Sequence, residues 1–234
     1  MTINKKFKFF IYCSGKSGSK TLYSAFKKID KTLHFHNNNN FQHQNKTKIK
    51  IKDIILKSSE NEKVYIIDSY RYPIERAISS FFTNLNKYCP DNLNMSIEEI
   101  INYFNKKKLY KLDSYHSYIE AFNYFDISTD IKFNHDKKYI LTQKDNLIFI
   151  KLRMIDISHW KDIFKEILGI EISFIHRNPS KNERYKDFLK EYKVSKQYLK
   201  ELKKKDNKNR IEMDKMLSKE EIKNYFILWD AKSI

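Results

Sequence analysis

The sequence predicts an α/β protein with a central, mostly parallel β-sheet flanked by helices, and three observations support this class. Short, largely apolar runs, typical of strands that are buried on both faces, recur along the chain. Segments with apolar residues at helical spacing alternate with these runs, as in the strand–helix units of a parallel sheet. The chain has 234 residues, of which 41% are hydrophobic. This length suffices for a substantial core, so we expect a single domain over residues 1–234.

Five segments are predicted to be strands. Four of them are short and largely apolar, and one alternates between polar and apolar side chains. The predicted strands are residues 7–13, 32–36, 63–69, 146–152 and 170–175. Two segments rich in polar and turn-forming residues, 37–40 and 126–141, are predicted to be loops.

The predicted helices follow from apolar periodicity and from signals at their ends. Pro73 is favourable at the first position of a helix. Ser96 with Glu99, and Ser218 with Glu221, have the spacing of a capping box. The predicted helices are residues 20–29, 49–58, 96–106, 112–125, 159–168 (capped by Ser158 and ended by Gly169) and 184–205, with two more that begin at Pro73 and after Ser218, and a lysine-rich turn at 203–210.

Composition limits the classes of partner. The formal net charge is +17, which suits a phosphorylated ligand, nucleic acid or an anionic membrane surface. Lys, Asn and Ile are abundant throughout, so we attribute the charge to a general compositional bias and expect no nucleic-acid partner. No apolar run approaches about 20 residues, so no transmembrane span is predicted, although peripheral contact with an anionic membrane stays open. The two cysteines, Cys13 and Cys89, predict no disulfide framework and fit a reducing, cytoplasmic compartment.

The loop at residues 14–19, between the first predicted strand and the helix predicted from Lys20, is the most informative stretch. It holds Gly15 and Gly18, two of the three glycines in the chain, and glycine allows main-chain N–H groups to approach a ligand closely. Lys16 and Lys20 add positive charge, and the N-terminus of the following helix favours an anion. We therefore predict a phosphate-binding loop, with an ordinary strand-to-helix turn as the alternative.

A second strand–turn–helix unit carries a pattern of arginines, a proline and a serine. Arg71 follows the strand predicted at 63–69, at the end where open α/β sheets bind ligands. Arg76 and Ser79 are three residues apart on the helix that begins at Pro73, so they can share a face. A guanidinium beside a hydroxyl suits a phosphate, whereas the plainer interpretation is that Arg76 pairs with a surface acid.

Together, SGKSGSKT (residues 14–21) and YRYPIERAISSFF (residues 70–82) resemble the nucleotide-binding elements of sulfotransferases. The similarity is greatest to carbohydrate sulfotransferases of the heparan 2-O type and to a bacterial family associated with capsular polysaccharide synthesis. The resemblance implies a P-loop-NTPase-like three-layer fold, 3′-phosphoadenosine 5′-phosphosulfate (PAPS) as co-substrate, and a carbohydrate acceptor. The implied PAPS-binding residues are Ser14, Gly15, Lys16, Ser17, Gly18, Ser19, Lys20 and Thr21 for the 5′-phosphosulfate, and Arg71 and Ser79 for the 3′-phosphate.

The implied reaction assigns further roles. Sulfuryl transfer needs a base for the acceptor hydroxyl and positive charge near the leaving phosphate. Lys16 is expected to supply that charge. His36 matches the family's catalytic histidine, and His34, two residues earlier, is expected on the same face of the strand. No metal is expected, because these histidines lack the spacing of a metal site and transfer from PAPS requires none.

Two rival functions stay open. The first is a P-loop kinase, because Ser19, Lys20 and Thr21 imitate the end of a phosphate-binding motif; however, serines replace glycines that this motif requires at 14 and 19. The second is a catalytically inactive, basic protein that binds polyanions or nucleic acid. That class favours exposed aromatic residues among the charges, whereas the aromatics here have core periodicity. The oligomeric state is not predicted.

Overall fold

The computed structural model describes residues 6–46, 48–107, 122–174 and 183–230. The chain forms two compact units. The first contains Met1–Arg71 and Tyr115–Arg177, and the second contains Tyr72–Ser114 and Asn178–Ile234. The expectation of a single domain over residues 1–234 stays a prediction.

Five strands and eleven α-helices are defined among the described residues, and residues 122–124 are a further short helical stretch. The strands are β1 (Phe9–Tyr12), β2 (Thr32–Phe35), β3 (Val64–Tyr70), β4 (Tyr139–Lys144) and β5 (Leu147–Arg153). The helices are α1 (Ser19–Phe26), α2 (Asn38–Asn45), α3 (Ile51–Ser59), α4 (Pro73–Thr83), α5 (Leu85–Tyr88), α6 (Ile97–Lys106), α7 (Trp160–Leu168), α8 (Glu183–Glu191), α9 (Lys196–Lys203), α10 (Lys208–Met216) and α11 (Lys219–Trp229), with a 3₁₀ helix at Met154–His159.

All five strands form one sheet in the first unit, in the order β2-β1-β3-β5-β4. The four strands β2, β1, β3 and β5 run parallel, and β4 runs antiparallel to β5. Nearly every residue of β1, β3 and β5 is buried, which explains why these strands are apolar runs and not alternating ones. The predicted α/β class, with a mostly parallel sheet flanked by helices, is confirmed.

The second unit is helical and contains α4–α6 and α8–α11. Its core includes a cluster of aromatic rings from three helices: the ring of Phe104 lies 5.1 Å from Phe81 and 5.5 Å from Phe188, and Phe188 stacks on Tyr192 at 4.9 Å. Such pairs stabilise a core beyond the area that they bury. Both predicted capping boxes, at the starts of α6 and α11, are present.

Residues 126–138 form a loop, as predicted, whereas parts of the two predicted loops form regular structure. Residues 38–40 belong to α2, because buried Phe41 in that helix packs against Phe35 of the sheet, and tertiary packing of this kind overrides weak propensity. Residues 139–141 begin β4. The sequence pattern did not indicate this strand, because an edge strand tolerates polar residues. Its hairpin with β5 turns at Asp145, whose φ is 51°, and Asn146. Asp-Asn between two β-type runs was the overlooked signal.

The strand predicted at 170–175 is wrong for residues 170–174, and residue 175 lies outside the described part. Ile172 is buried, and the Phe174 ring lies 5.6 Å from Phe164 of α7. Apolar residues therefore recur here because the segment packs on a helix, without pairing with the sheet. The predicted cap at Ser158 is also wrong, since a 3₁₀ helix covers that position and His159 precedes α7.

Two corrections concern the second unit. The helix predicted over residues 184–205 is two helices, since Val194 leaves the helical path to bond its N–H to the Trp229 carbonyl, and Ser195 caps α9. The turn predicted at 203–210 ends earlier, because Asn207 caps α10 at Lys208.

Most of the helix predicted at 112–125 lies outside the described residues, although 122–124 are helical. Gly169 ends α7 with φ 69°, as predicted. None of the helices in the described ranges is long and apolar enough to cross a bilayer.

Candidate functional site

The carboxyl ends of three adjacent parallel strands bring the predicted site residues of the first unit to one edge of the sheet. The loop of residues 13–18 follows β1, His36 follows β2, and Arg71 follows β3. In the sheet β1 lies between the other two strands. Ligands of open α/β sheets bind at this edge.

Three carbonyl groups of the loop are held by hydrogen bonds from the protein. The Ser17 hydroxyl donates to the Ser14 carbonyl at 2.7 Å. The guanidinium of Arg71 donates to the Lys16 carbonyl at 3.3 Å, and the Ser69 hydroxyl donates to the Ser17 carbonyl. The loop is therefore fastened to the end of β3 through its carbonyl oxygens.

The main-chain N–H groups of this loop are in the opposite situation. None of the N–H groups of residues 15–20 has a hydrogen-bond partner among the residues that the structure describes. In a trans peptide, the C=O group and the N–H group of the next residue point in opposite directions. A carbonyl that faces its hydrogen-bond donor therefore directs the next N–H away from that donor. Lys16, with φ 68°, and Gly18, with φ 92°, curve the chain between them. A curved run of unpartnered N–H groups at a helix start is an anion-binding arrangement.

The two glycines of the loop differ in their structural requirement. A Cβ at Gly18 would lie 2.6 Å from the sulfur of Met154 and 2.9 Å from the ring of Trp160. Its left-handed φ also disfavours any side chain. A Cβ at Gly15, in contrast, would meet nothing within 4 Å. Gly18 therefore allows the close packing of the loop on the segment after β5. At position 15, in contrast, there is room for a larger side chain.

Positive charge is concentrated around the loop. Burial lowers the pKa of the Lys16 ammonium, and the charges of Lys20 and Arg71 lower it further. An anion among these cations would relieve their mutual repulsion. The side chains of Ser19 and Thr21 are buried, and the Thr21 N–H bonds to the Gly18 carbonyl. Of the predicted loop ligands, Thr21 therefore has the least to offer an anion.

The position of His36 fixes its tautomer. Its Nδ1 lies 2.7 Å from the carbonyl oxygen of Cys13. A carbonyl oxygen only accepts, so Nδ1 carries the proton and, in the neutral ring, Nε2 has the free electron pair. Half-buried His36 is therefore arranged to accept a proton at Nε2.

His34 lies beside His36, as their spacing predicts, with the two ring centres 4.9 Å apart. Burial lowers the pKa of His34 to about 4, and His36 and Lys20 contribute to the shift. The ring stacks on Tyr23, and its Nε2 is buried with no hydrogen-bond partner in the described part of the chain. His34 is therefore neutral at pH 7 and a weaker base than an ordinary histidine.

A buried ion pair in the sheet is connected to the loop through Ser69. Sequence reasoning missed this ion pair. Lys151 of β5 donates to Asp68 of β3 at 2.8 Å, and the other Asp68 oxygen accepts from the Ser69 N–H at 2.7 Å. Ser69 in turn holds the Ser17 carbonyl. The position of Ser69, two residues before Arg71 at the end of an apolar run, was the signal in the sequence that could have revealed this connection.

Ser79 lies on α4 in the second unit, whereas Arg71 belongs to the first. Their predicted joint contact with one phosphate stays a prediction. At the start of α4, the Tyr225 hydroxyl accepts from the Ile74 N–H at 2.9 Å and donates to Glu75 at 3.1 Å. Tyr225 thus satisfies one of the N–H groups that a helix start leaves open.

No protein-family model, curated protein or solved structure matches this chain. A function must therefore be inferred from the residues at this edge of the sheet and from the resemblance of the two motifs.

Proposed function

We propose that the protein is a sulfotransferase that moves a sulfuryl group from PAPS to a hydroxyl of a carbohydrate, on a P-loop-NTPase-like three-layer fold. The observation that carries the proposal is the run of N–H groups at residues 15–20, which includes that of Lys16 and lacks partners among the described residues. The phosphosulfate of PAPS is an anion of the kind that such a run binds. The motif resemblance selects this anion among phosphates in general.

The charges and N–H groups of the loop in the first unit support PAPS as the donor. The N–H groups of the loop and the ammonium groups of Lys16 and Lys20 would hold the 5′-phosphosulfate. The motif resemblance assigns the 3′-phosphate to Arg71, with Ser79 as a second ligand that stays a prediction. When bound, PAPS supplies a sulfuryl group attached to a phosphate leaving group. Burial and the neighbouring cations lower the pKa of Lys16, which means that they disfavour its charged form. A bound anion would attract the Lys16 ammonium and so offset the repulsion from Lys20 and Arg71.

The side chains divide the work of the transfer. His36 takes the proton of the acceptor hydroxyl at Nε2, since its Nδ1 proton is held by the Cys13 carbonyl. As the acceptor oxygen bonds to sulfur and the sulfur–phosphate oxygen bond breaks, Lys16 and the loop N–H groups neutralise the charge that grows on the phosphate. His34, with its lowered pKa, positions the His36 ring by edge-to-face contact.

The P-loop kinase is less well supported. In such a kinase an acidic residue of the strand beside the phosphate-binding loop serves the magnesium ion, and Asp68 of β3 is the matching residue. Both Asp68 oxygens are already engaged, one by the Lys151 ammonium and the other by the Ser69 N–H. The hydroxyl that would bind magnesium, on Thr21, belongs to a buried side chain.

Calorimetry tests the proposal without knowledge of the acceptor. Adenosine 3′,5′-bisphosphate, the product of the donor, should bind tightly without magnesium, and ATP with magnesium should bind weakly. Lys16→Ala should weaken binding of the bisphosphate, and Lys28→Ala, a change at an exposed lysine, should not. Tight binding of ATP with magnesium and none of the bisphosphate would reject the sulfotransferase in favour of the kinase.

A further inference from the structure

One helix of the second unit carries a row of lysines on its outer face. Lys196, Lys200 and Lys203 are spaced four and three residues apart on α9, so they lie along one face, and all three are exposed. None of them pairs with a carboxylate in the part of the chain that the structure describes. We refer to these three residues as the lysine stripe.

The charge is local, not only a property of the whole composition. Residues 193–210 contain eight lysine or arginine residues and two acidic ones. One of the acidic residues, Glu201, is paired with Lys204 at 2.8 Å. The buried face of α9, formed by Tyr198, Leu199 and Leu202, anchors the helix so that the stripe faces outward.

The end of α11, which carries two exposed aliphatic side chains, lies next to α9. The Lys203 ammonium sits 5.0 Å from the ring centre of Phe226, and the Lys193 ammonium, just before α9, donates to the Leu228 carbonyl at 3.0 Å. In this last turn of α11 the side chains of Ile227 and Leu228 are 51% and 56% exposed. We refer to Ile227 and Leu228 as the aliphatic pair.

We propose that this face of the second unit binds the surface of an anionic lipid bilayer. Lysines near such a surface are attracted by its negative potential, and aliphatic side chains gain by entering the interface below the headgroups. Charge alone would also suit nucleic acid or another soluble polyanion. A bilayer is favoured because it offers an apolar region for Ile227 and Leu228 directly beneath its charged groups, whereas proteins that bind single-stranded nucleic acid place aromatic side chains against the bases.

Vesicle sedimentation with the full chain tests the proposal. The protein should bind vesicles of phosphatidylcholine with phosphatidylserine, should not bind phosphatidylcholine alone, and should be released as salt is raised. Replacing the lysine stripe by glutamine (K196Q, K200Q and K203Q together) should lower the partition coefficient on the order of 100-fold, given the attraction of each lysine. A matched control, K28Q with K31Q and K63Q, removes the same charge from exposed lysines of the first unit and should change binding only slightly.

A second variant separates the bilayer from soluble polyanions. Ile227→Asn with Leu228→Asn keeps every charge and should lower vesicle binding on the order of 10-fold. Its binding to a single-stranded oligonucleotide should equal that of the wild type. Circular dichroism melts check that all variants fold.

Three results would overturn the proposal. The first is no binding of the wild type to the anionic vesicles. The second is an equal loss in both triple variants, which would show that only net charge matters. The third is vesicle binding that is indifferent to the aliphatic pair, together with oligonucleotide binding that requires the stripe; that result would assign the face to a soluble polyanion.

Discussion

The hydroxyl of Ser69, the penultimate residue of β3, donates a hydrogen bond to the main-chain carbonyl of Ser17, 52 residues earlier in the sequence. This bond fastens the loop after β1 to the neighbouring strand and turns the Gly18 N–H away from the strand. The loop is therefore shaped before an anion arrives, which lowers the cost of binding.

Ser69→Ala should weaken binding of adenosine 3′,5′-bisphosphate on the order of 10-fold, because the Ser17–Gly18 peptide loses its orientation. It should also lower the free energy of unfolding by about 1–3 kcal/mol, since a carbonyl loses its partner. The control is Ser58→Ala, another buried serine, whose hydroxyl accepts from the Phe7 N–H at 3.1 Å, away from the site. It should lose stability and keep its affinity. Equal affinity losses in calorimetry would contradict a role for Ser69 in shaping the loop.

Gly18→Ala and Gly15→Ala should separate in stability. The first places a Cβ against Met154 and Trp160 at φ 92°, and the second places it in open space. Chemical denaturation should show a loss of about 1–3 kcal/mol for Gly18→Ala. Gly15→Ala should stay close to the wild type. Similar values for both variants would mean that the loop does not depend on the packing at Gly18.

His34 predicts a pH dependence of stability. Its pKa is about 4 in the folded protein against 6.5 in the unfolded chain, so between these values the unfolded state binds more protons. Stability from this group is complete above pH 6.5 and is lost as pH falls towards 4. The shift corresponds to about 3 kcal/mol at most, since the ring is partly exposed.

Denaturation of His34→Gln, measured from pH 7 down to 4, checks this sign. The difference in the free energy of unfolding between the wild type and the variant should shrink as the pH falls through this window. A constant difference would show that His34 is not held neutral by the fold.

Arg71→Ala should distinguish two nucleotides. If Arg71 reads the 3′-phosphate, the loss should be about 2–5 kcal/mol for adenosine 3′,5′-bisphosphate and small for adenosine 5′-phosphate. Arg76→Ala, a half-exposed arginine on α4, serves as the matched control and should affect neither. Because Arg71 also donates to the Lys16 carbonyl, an equal loss for both nucleotides would assign Arg71 to the loop alone.

The sequence could predict the elements whose signals are local. The strands β1, β3 and β5 are apolar runs, and the capping boxes at Ser96 and Ser218 are three-residue patterns. The Asn-rich α2 and the edge strand β4 could not be predicted in this way, because their formation depends on packing against Phe35 and on pairing with β5.

The same distinction between local and long-range signals applies to the candidate site. Loop position, lysines and the histidine pair follow from short spacings in the sequence. The contact of Ser69 with Ser17, the ion pair of Asp68 with Lys151, and the tautomer of His36 depend on residues far apart in the chain or on main-chain carbonyls. Only the folded chain brings these groups together.

The most direct test of the proposed sulfotransferase is transfer of a radiolabelled sulfuryl group from PAPS to a panel of oligosaccharides. The wild type should label an acceptor, and His36→Ala should reduce turnover by on the order of 10²–10⁴-fold with donor affinity nearly unchanged. Lys16→Ala should lower both, because its partner is charged before and during transfer. His159→Ala, at an exposed histidine outside the site, should match the wild type. Wild-type turnover by His36→Ala, or phosphorylation of the same acceptors from ATP while the sulfuryl label stays on the donor, would contradict the account.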